Sequence, residues 1–211
     1  MNYLSPEIPW ENIKAVGFDM DGTLYDEFDF IHQVYQPIAE LFSNSNYDDA
    51  SITKIMLRKW IEKGSSYPYI FSETLHETGW DVGFHKKKIE DSLSIYRNYK
   101  PSISLSGRTQ FLLEELKDKY ELFLVSDGSS TLQWSKIRAL QLEKYFDKKN
   151  IFISGDYGIE AQKPGLASLE HIAVFSKNIN KNQIVFIGDR NNDKSYANNA
   201  GMYYINISRV I

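Results

Sequence analysis

The chain has 211 residues, a formal net charge of −4 and no cysteine. This length suits one domain, or a core domain with a smaller inserted one, and can bury a substantial core. The acidic balance argues against a nucleic-acid backbone as the main partner, because that needs a basic face; the lack of cysteine excludes disulfides, zinc-thiolate sites and a thiol nucleophile, and fits a reducing compartment. Met1–Trp10 contains Pro6, Glu7 and Pro9 without an apolar segment, so it does not read as a signal peptide. No apolar run approaches the ~20 residues of a membrane helix. The expectation is a soluble, cytoplasmic protein, monomeric or a small homo-oligomer, with neither nucleic acid nor membrane as partner. The one dense basic run, Lys86-Lys87-Lys88, reads as a solvated helix face.

In chain order, the first element is a buried strand through Val16-Gly17-Phe18, running into Asp19-Met20-Asp21-Gly22-Thr23-Leu24. In an open parallel sheet the carboxyl ends of the strands border the ligand crevice, so Asp19 and Asp21 would project into a cleft. One such carboxylate can attack phosphorus while the other handles the proton, with a divalent cation in place. A bare Asp-Gly is also a common turn. Residues 25–99 then carry no convincing strand. Ile31, Val34, Tyr35, Ile38, Leu41 and Phe42 recur at helical spacing, Ile52, Ile55, Met56 and Trp60 repeat it, and further amphipathic stretches surround Leu75 and run through Ile89, Leu93 and Tyr96. This predicts an all-helical insert.

Regular alternation follows: a helix over Gln110–Tyr120, a strand at Leu122–Val125, a helix over Leu132–Leu142, a short strand at Ile151–Ile153, a helix over Leu166–Phe175, a strand at Ile184–Ile187, a helix that includes Ser195–Asn199, and a last strand at Tyr203–Ile207. Such a series implies a parallel sheet with right-handed crossovers, an α/β Rossmann-like core. The expected division is a core of residues 1–24 and 100–211 and a helical insert of residues 25–99.

Three later strand ends add polar groups suited to phosphoryl transfer. Ser126 offers a hydroxyl to a phosphate oxygen, and Asp127-Gly128-Ser129 opens a helix whose amides face the same crevice. Lys163, in Gln162-Lys163-Pro164 at a predicted helix start, can neutralise phosphate and nucleophile together. Gly188-Asp189-Arg190-Asn191-Asn192-Asp193 adds two carboxylates. Taken singly, Ser126 also suits a helix cap, Lys163 a surface lysine before proline, and Asp189 and Asp193 turn and cap positions. Their shared order, type and strand-end placement favour a common site.

These motifs resemble those of the haloacid dehalogenase superfamily: Asp19-Met20-Asp21-Gly22-Thr23 is similar to its first motif, Ser126 to the second, Lys163-Pro164 to the third, and Gly188-Asp189 to Asp193 to the fourth, with a typical tail through Ala197 and Ala200-Gly201-Met202. The resemblance covers the chain outside the insert. It implies the superfamily fold, with residues 25–99 as a mobile helical cap that closes over the site and selects substrate. An acid at position 21 implies phosphomonoester hydrolysis or phosphoryl transfer instead of dehalogenation. By the same resemblance Asp19 forms an aspartyl-phosphate and Asp21 protonates the leaving alkoxide, then activates water. Mg2+ takes oxygens from the Asp19 side chain, the Asp21 backbone carbonyl and Asp189. Asp193 sits in its second shell, orienting a water or Lys163, with help from Asn192. Phosphate would meet Ser126, Asp127, Gly128 and Lys163. The implied partner is a small phosphorylated metabolite: a sugar phosphate, a phosphoglycolate-like acid or a nucleotide. Two alternatives stay open, a phosphomutase of the β-phosphoglucomutase kind, whose hinge threonine is absent from Asp26-Glu27-Phe28, and a non-catalytic regulatory protein, although such proteins usually lose a motif acid or the lysine.

Two departures bear on the site. Asp127 stands where relatives often carry asparagine, and its side chain is expected to turn toward backbone amides at the helix start. Gly165-Leu166 replaces a frequent Asp-Pro pair. In the insert, the aromatics Tyr25, Phe28, Phe30, Trp60, Tyr67, Tyr69, Phe71 and Trp80 read mainly as core. Arg58, Lys59, Lys63 and His32 are candidate contacts for a polar leaving group, and the turn-rich Gly64–Tyr69 segment is a candidate approach to the site. His76, His85 and His171 fit no metal-ligand spacing.

Overall fold

The computed structural model describes residues 5–207; residues 1–4, part of the Met1–Trp10 reading, and 208–211 lie outside it. Two compact units are present. One runs up to Asp26 and resumes at Ile103; the other is Glu27–Ser102.

The first unit is built on five parallel strands among the described residues: β1 (Ala15–Phe18), β2 (Glu121–Ser126), β3 (Ile151–Ile153), β4 (Ile184–Gly188) and β5 (Tyr203–Asn206), in the order β3-β2-β1-β4-β5. Both faces of β1 are buried, as its continuous apolar run requires in a covered parallel sheet. One face carries Ala15, Phe123, Val125, Ile184 and Phe186 into a core with Ile172, Val174, Tyr196 and Met202. Register then decides where the polar residues arrive. Phe18 pairs with Leu124 on one side and Ile187 on the other, so the strands end at one level. The Asp19 amide donates to the Ile187 carbonyl at 2.9 Å and extends the ladder by one residue.

Helices of this unit are α5 (Gly107–Lys117), α6 (Ser130–Ala139), α7 (Ser168–His171) and α8 (Asn191–Ala200). Their bounds correct the sequence reading. Helix α5 starts three residues before Gln110, because the Ser106 hydroxyl accepts from the Thr109 amide at 3.0 Å and caps it. Helix α6 begins at Ser130 and stops at Ala139; Gln141, at a left-handed φ of 54°, breaks the helix expected to reach Leu142. The helix expected over Leu166–Phe175 is a single turn followed by a 3-10 turn at Ala173–Ser176. Ile172 is extended, and the Val174 amide donates to Asn150 Oδ1 at 3.1 Å instead of to a helical carbonyl. Lys163 therefore does not sit at a helix start but in the loop between a 3-10 turn, Ile159–Ala161, and α7.

The second unit has four helices among its described residues, α1 (Glu27–Phe42), α2 (Asp49–Lys63), α3 (Ile70–Glu77) and α4 (Val82–Asn98), and no strand. The periodic positions Ile31, Val34, Tyr35, Ile38 and Phe42 of α1 are buried, with Ile52 and Met56 of α2 and Leu75 of α3. Asp48 and Asp81 cap α2 and α4 through the amides of Ser51 and Gly83, both at 2.8 Å. No described helix is long and apolar enough to cross a membrane.

Gly17 is packed tightly against the neighbouring strand. A Cβ placed there would lie 2.1 Å from the Phe123 ring on the neighbouring strand. Gly17→Ala is expected to destabilise the protein by about 1–3 kcal/mol through overpacking, despite alanine's lower conformational entropy. A chemical-denaturation midpoint at or above that of the parent would contradict this packing.

Candidate active site

The turn after β1 is closed by the Thr23 and Leu24 amides, which donate to the Met20 carbonyl at 3.2 and 2.9 Å. Gly22 takes φ +78°, and a Cβ there would fall 2.5 Å from Asp189 Oδ2, so this position requires glycine on two counts. The turn can therefore approach the end of β4, and the Thr23 hydroxyl lies 3.3 Å from Asp19 Oδ2 and 3.4 Å from Asp189 Oδ1.

Lys163 occupies the centre. Its buried ammonium donates to Asp19 Oδ1 at 2.5 Å, Asp193 Oδ1 at 2.6 Å and the Val125 carbonyl at 3.2 Å. Asp193 is fixed again from its other oxygen, which accepts from the Arg190 amide at 3.0 Å. The Asp19 carboxyl is raised to about 7, chiefly by burial, which Lys163 opposes and Asp193 and Asp21 reinforce. Burial opposes the charge on Lys163, but Asp19, Asp193 and Asp127 outweigh it and hold the ammonium above its ordinary value. Burial also raises Asp189. The side-chain oxygens of Asp19, Asp189 and Asp193 include atoms all within 4.8 Å of one another.

Asp21 has different surroundings. Oδ1 accepts from Lys136 Nζ at 2.6 Å and from the Tyr25 hydroxyl, and Oδ2 accepts from Gln133 Nε2 at 2.7 Å. Burial raises its pKa, yet Lys136, Tyr25 and Gln133 together hold it below the usual carboxylate value. None of these three was singled out as a site residue in the sequence. Gln133 and Lys136 lie three apart on α6, a spacing that places them on one helix face, but polar residues at that spacing ordinarily mark a solvated surface.

The other expected residues fall as follows. Ser126 is fully buried at the end of β2, and its hydroxyl lies 2.7 Å from Gln133 Nε2. The Gly128 amide donates to Ser154 Oγ at 3.2 Å. The Asp127 carboxylate does turn to a backbone amide, but to that of Lys163, at 3.2 and 3.3 Å, and not to its own helix start. Asp127 thus anchors the loop that carries Lys163. The last strand fixes the Gly188–Arg190 turn: the Tyr204 hydroxyl donates to the Gly188 carbonyl at 3.0 Å and Asn206 Nδ2 to the Asp189 carbonyl at 3.3 Å.

Within the helical unit the basic candidates are engaged in ion pairs. Arg58 and Lys59 meet Glu77 at 2.6 and 2.7 Å, and Lys63 meets Glu73 at 2.5 Å, tying α2 to α3. His32 lies beside the Phe28 ring. In the Gly64–Tyr69 segment, Ser65 accepts from Trp60 Nε1 at 2.7 Å and donates to Glu27 at 2.6 Å. With Tyr67 and Pro68 it lines a cavity of about 180 Å³ inside the helical unit. His171 stacks on Tyr157, and His85 lies 3.0 Å from the Trp80 carbonyl.

Groups from β2 and from the segments that follow β1 and β4 converge on one buried ammonium, and the family comparison agrees with this arrangement: residues 16–207 match the model of the haloacid dehalogenase-like hydrolases. The chain belongs to that family. It is 27% identical over 197 residues to a glyceraldehyde 3-phosphate phosphatase of Pyrococcus furiosus, spanning 90% of this chain and 78% of the relative. Among solved structures, a HAD-superfamily hydrolase of subfamily IA, variant 1, from Geobacter sulfurreducens superposes with a TM-score of 0.69 at 19% identity, over 92% of this chain and 86% of the other. The magnesium-bound YfnB of Bacillus subtilis does so with a TM-score of 0.61 at 20% identity, over 91% and 87%. These two share the haloacid dehalogenase fold with the chain.

Removing the Lys163 ammonium leaves Asp19 and Asp193 buried and unpaired. Lys163→Met is expected to cost about 3–5 kcal/mol at neutral pH, as for a broken buried ion pair. The loss should be larger at about pH 9 and shrink toward about pH 7, because Asp19, held up near about 7 even with Lys163 in place, binds its proton at a higher pH once the ammonium is gone. Urea titrations at both pH values check this; a pH-independent loss would count against the bridge.

Proposed function

We propose that this haloacid dehalogenase-like phosphatase hydrolyses a small phosphorylated metabolite through an aspartyl-phosphate on Asp19, with Asp21 as general acid and then general base. The observation that carries the reading is the separation of the two acids of one turn. Asp19 is bound to Lys163 and Asp193-linked, whereas Asp21 is held by Lys136, Tyr25 and Gln133. Carboxylates in contrasting surroundings are suited to different tasks.

In the first step an Asp19 oxygen attacks phosphorus and the bond from phosphorus to the leaving oxygen breaks. Asp21, ionised in the free protein, takes up a proton as the phosphate dianion adds negative charge beside it, and the leaving oxygen receives that proton and departs as an alcohol. In the second, water attacks the same phosphorus, the bond to Asp19 breaks, and Asp21 receives the water's proton. Asp19 and protonated Asp21 are restored. Lys163 holds Asp19 in place and offsets negative charge beside it, and Asp193 and Asp127 fix Lys163 from its side chain and its backbone.

The donor set fits Mg2+. It consists of carboxylate oxygens, the ligands this hard cation prefers, and the atoms of Asp19, Asp189 and Asp193 lie close enough to share one ion. Asp19, Asp189 and the Asp21 backbone carbonyl would hold the cation, with Asp193, whose oxygens serve Lys163 and the Arg190 amide, outside the direct ligands. When bound, the cation supplies the positive charge that lets a carboxylate and a phosphate dianion meet. The helical unit would act as the cap that selects substrate, and glyceraldehyde 3-phosphate, in the name of the Pyrococcus furiosus relative, is the first compound to test.

A phosphate-release panel of glyceraldehyde 3-phosphate, sugar phosphates, phosphoglycolate, nucleoside monophosphates and polyol phosphates, with and without Mg2+, tests the reading. Turnover is expected only with Mg2+ and should vanish in a folded Asp19→Asn variant. Full turnover in chelator, or in that variant, would refute it.

Metal binding should also depend on pH in a defined direction. Because burial holds the free Asp19 carboxyl up near about 7, protons compete with the cation below that value. The rise in Tm caused by Mg2+ is therefore expected to be larger at about pH 8 than at about pH 5.5. An equal or reversed shift would exclude Asp19 as a ligand.

A further inference from the structure

We propose that Lys136 is a positioning residue for proton transfer, fixing Asp21 through Oδ1 so that Oδ2 is the oxygen that gives and takes the proton. This rests on the reading of Asp21 as acid and base. Lys136 lies on α6 and is 2% exposed, and its ammonium is 2.6 Å from Asp21 Oδ1. A lysine is kept at such depth only against a compensating charge. Lys136 donates to the acid two residues from the one that Lys163 takes, so each acid of the turn has its own buried ammonium.

The two Asp21 oxygens are not equivalent. Oδ1 receives a charged donor from Lys136 and a hydroxyl from Tyr25; Oδ2 receives only the neutral amide of Gln133. A proton on Oδ1 would face the ammonium and displace it, whereas a proton on Oδ2 leaves that ion pair's geometry in place and still allows the amide a lone pair. The carboxyl plane is thereby set from one face of α6, which carries Gln133 and Lys136 three residues apart. The same amide of Gln133 lies 2.7 Å from Ser126 Oγ and 2.9 Å from the Asp127 carbonyl, which ties α6 to the end of β2. In the forward step the Oδ2–H bond breaks and its proton goes to the departing alkoxide; in hydrolysis a water O–H bond breaks and Oδ2 takes that proton. Lys136 takes no part in the proton transfer itself and does not touch substrate.

Leaving-group dependence separates this role from general support of the fold. An aryl phosphate scarcely needs a proton on departure, whereas an alkyl phosphate does. In Lys136→Met, single-turnover phosphorylation by glyceraldehyde 3-phosphate is expected to fall at least about tenfold more than that by p-nitrophenyl phosphate, with KM nearly unchanged. Lys136→Arg should recover part of the difference. In an Asp21→Asn background, adding Lys136→Met should alter the ratio less than about twofold, because the group being positioned is gone. An equal loss for both substrates in a folded Lys136→Met protein, or a full effect in the Asp21→Asn background, overturns the inference while leaving Asp21 as the acid. If Asp21→Asn itself leaves the ratio unchanged, the underlying reading falls and this one with it. Should Lys136→Met fail to fold, Lys136→Arg alone carries the comparison: a selective loss supports the role and a uniform loss refutes it.

Discussion

Two carboxylates two residues apart in a tight buried turn repel each other, and burial raises the cost of charging either. The core unit answers this by supplying a separate cation to each from a different part of the chain. Lys163 comes from the loop after β3 and takes Asp19; Lys136 comes from α6 and takes Asp21. Neither lysine is near the turn in sequence. Their arrival depends on the strand order, which places β1 at the centre with β2 and β4 beside it. The two lysines are desolvated in their turn and depend on the same acids, so the four groups form a mutually required set in which loss of any one leaves a buried charge uncompensated.

Around that set, most polar contacts fix the supporting backbone and do not face open space. Asp127 accepts from the Lys163 amide, Asp193 from the Arg190 amide, and Tyr204 and Asn206 donate to the carbonyls of Gly188 and Asp189. Burial holds the Tyr204 hydroxyl up at about 12, so it remains a donor across the physiological range. An active centre whose groups must stay within a few tenths of an ångström gains most from such contacts, since the loops themselves carry little intrinsic order.

The strands and the set of residues that meet at their ends were legible because apolar runs such as Leu122–Val125 and Ile184–Ile187 have no other plausible place, and because Asp19, Asp21, Ser126, Lys163, Asp189 and Asp193 all follow such runs or the loops joining them. Helix bounds were less legible. Periodicity sees Leu113 and Leu116 but not the cap at Ser106, and it runs through Ile172 without sensing that Asn150, more than twenty residues earlier, removes an amide from the helix. Lys136 and Gln133 were missed for a related reason. A polar residue on a helix looks solvated until the fold shows which face turns inward, and here both are buried, at 2% and 1% exposure. Arg58, Lys59 and Lys63 show the converse: cations that read as available prove to be held by Glu73 and Glu77.

The helical unit closes on itself at its base. Gln33, in the second turn of α1, donates to the Ser102 carbonyl and accepts from the Ser102 amide, both at 2.9 Å. Entry at Glu27 and exit at Ser102 are thus held roughly 9 Å apart along the helix, about six residues of rise. A segment whose ends are tied together can occupy the span of an ordinary surface loop, so the rest of the chain need not adjust to what the segment contains. The helical unit is in this sense a cassette: it can lengthen, shrink or be exchanged over evolutionary time between two points of attachment in the chain, while the strand register that gathers the acids and lysines stays the same.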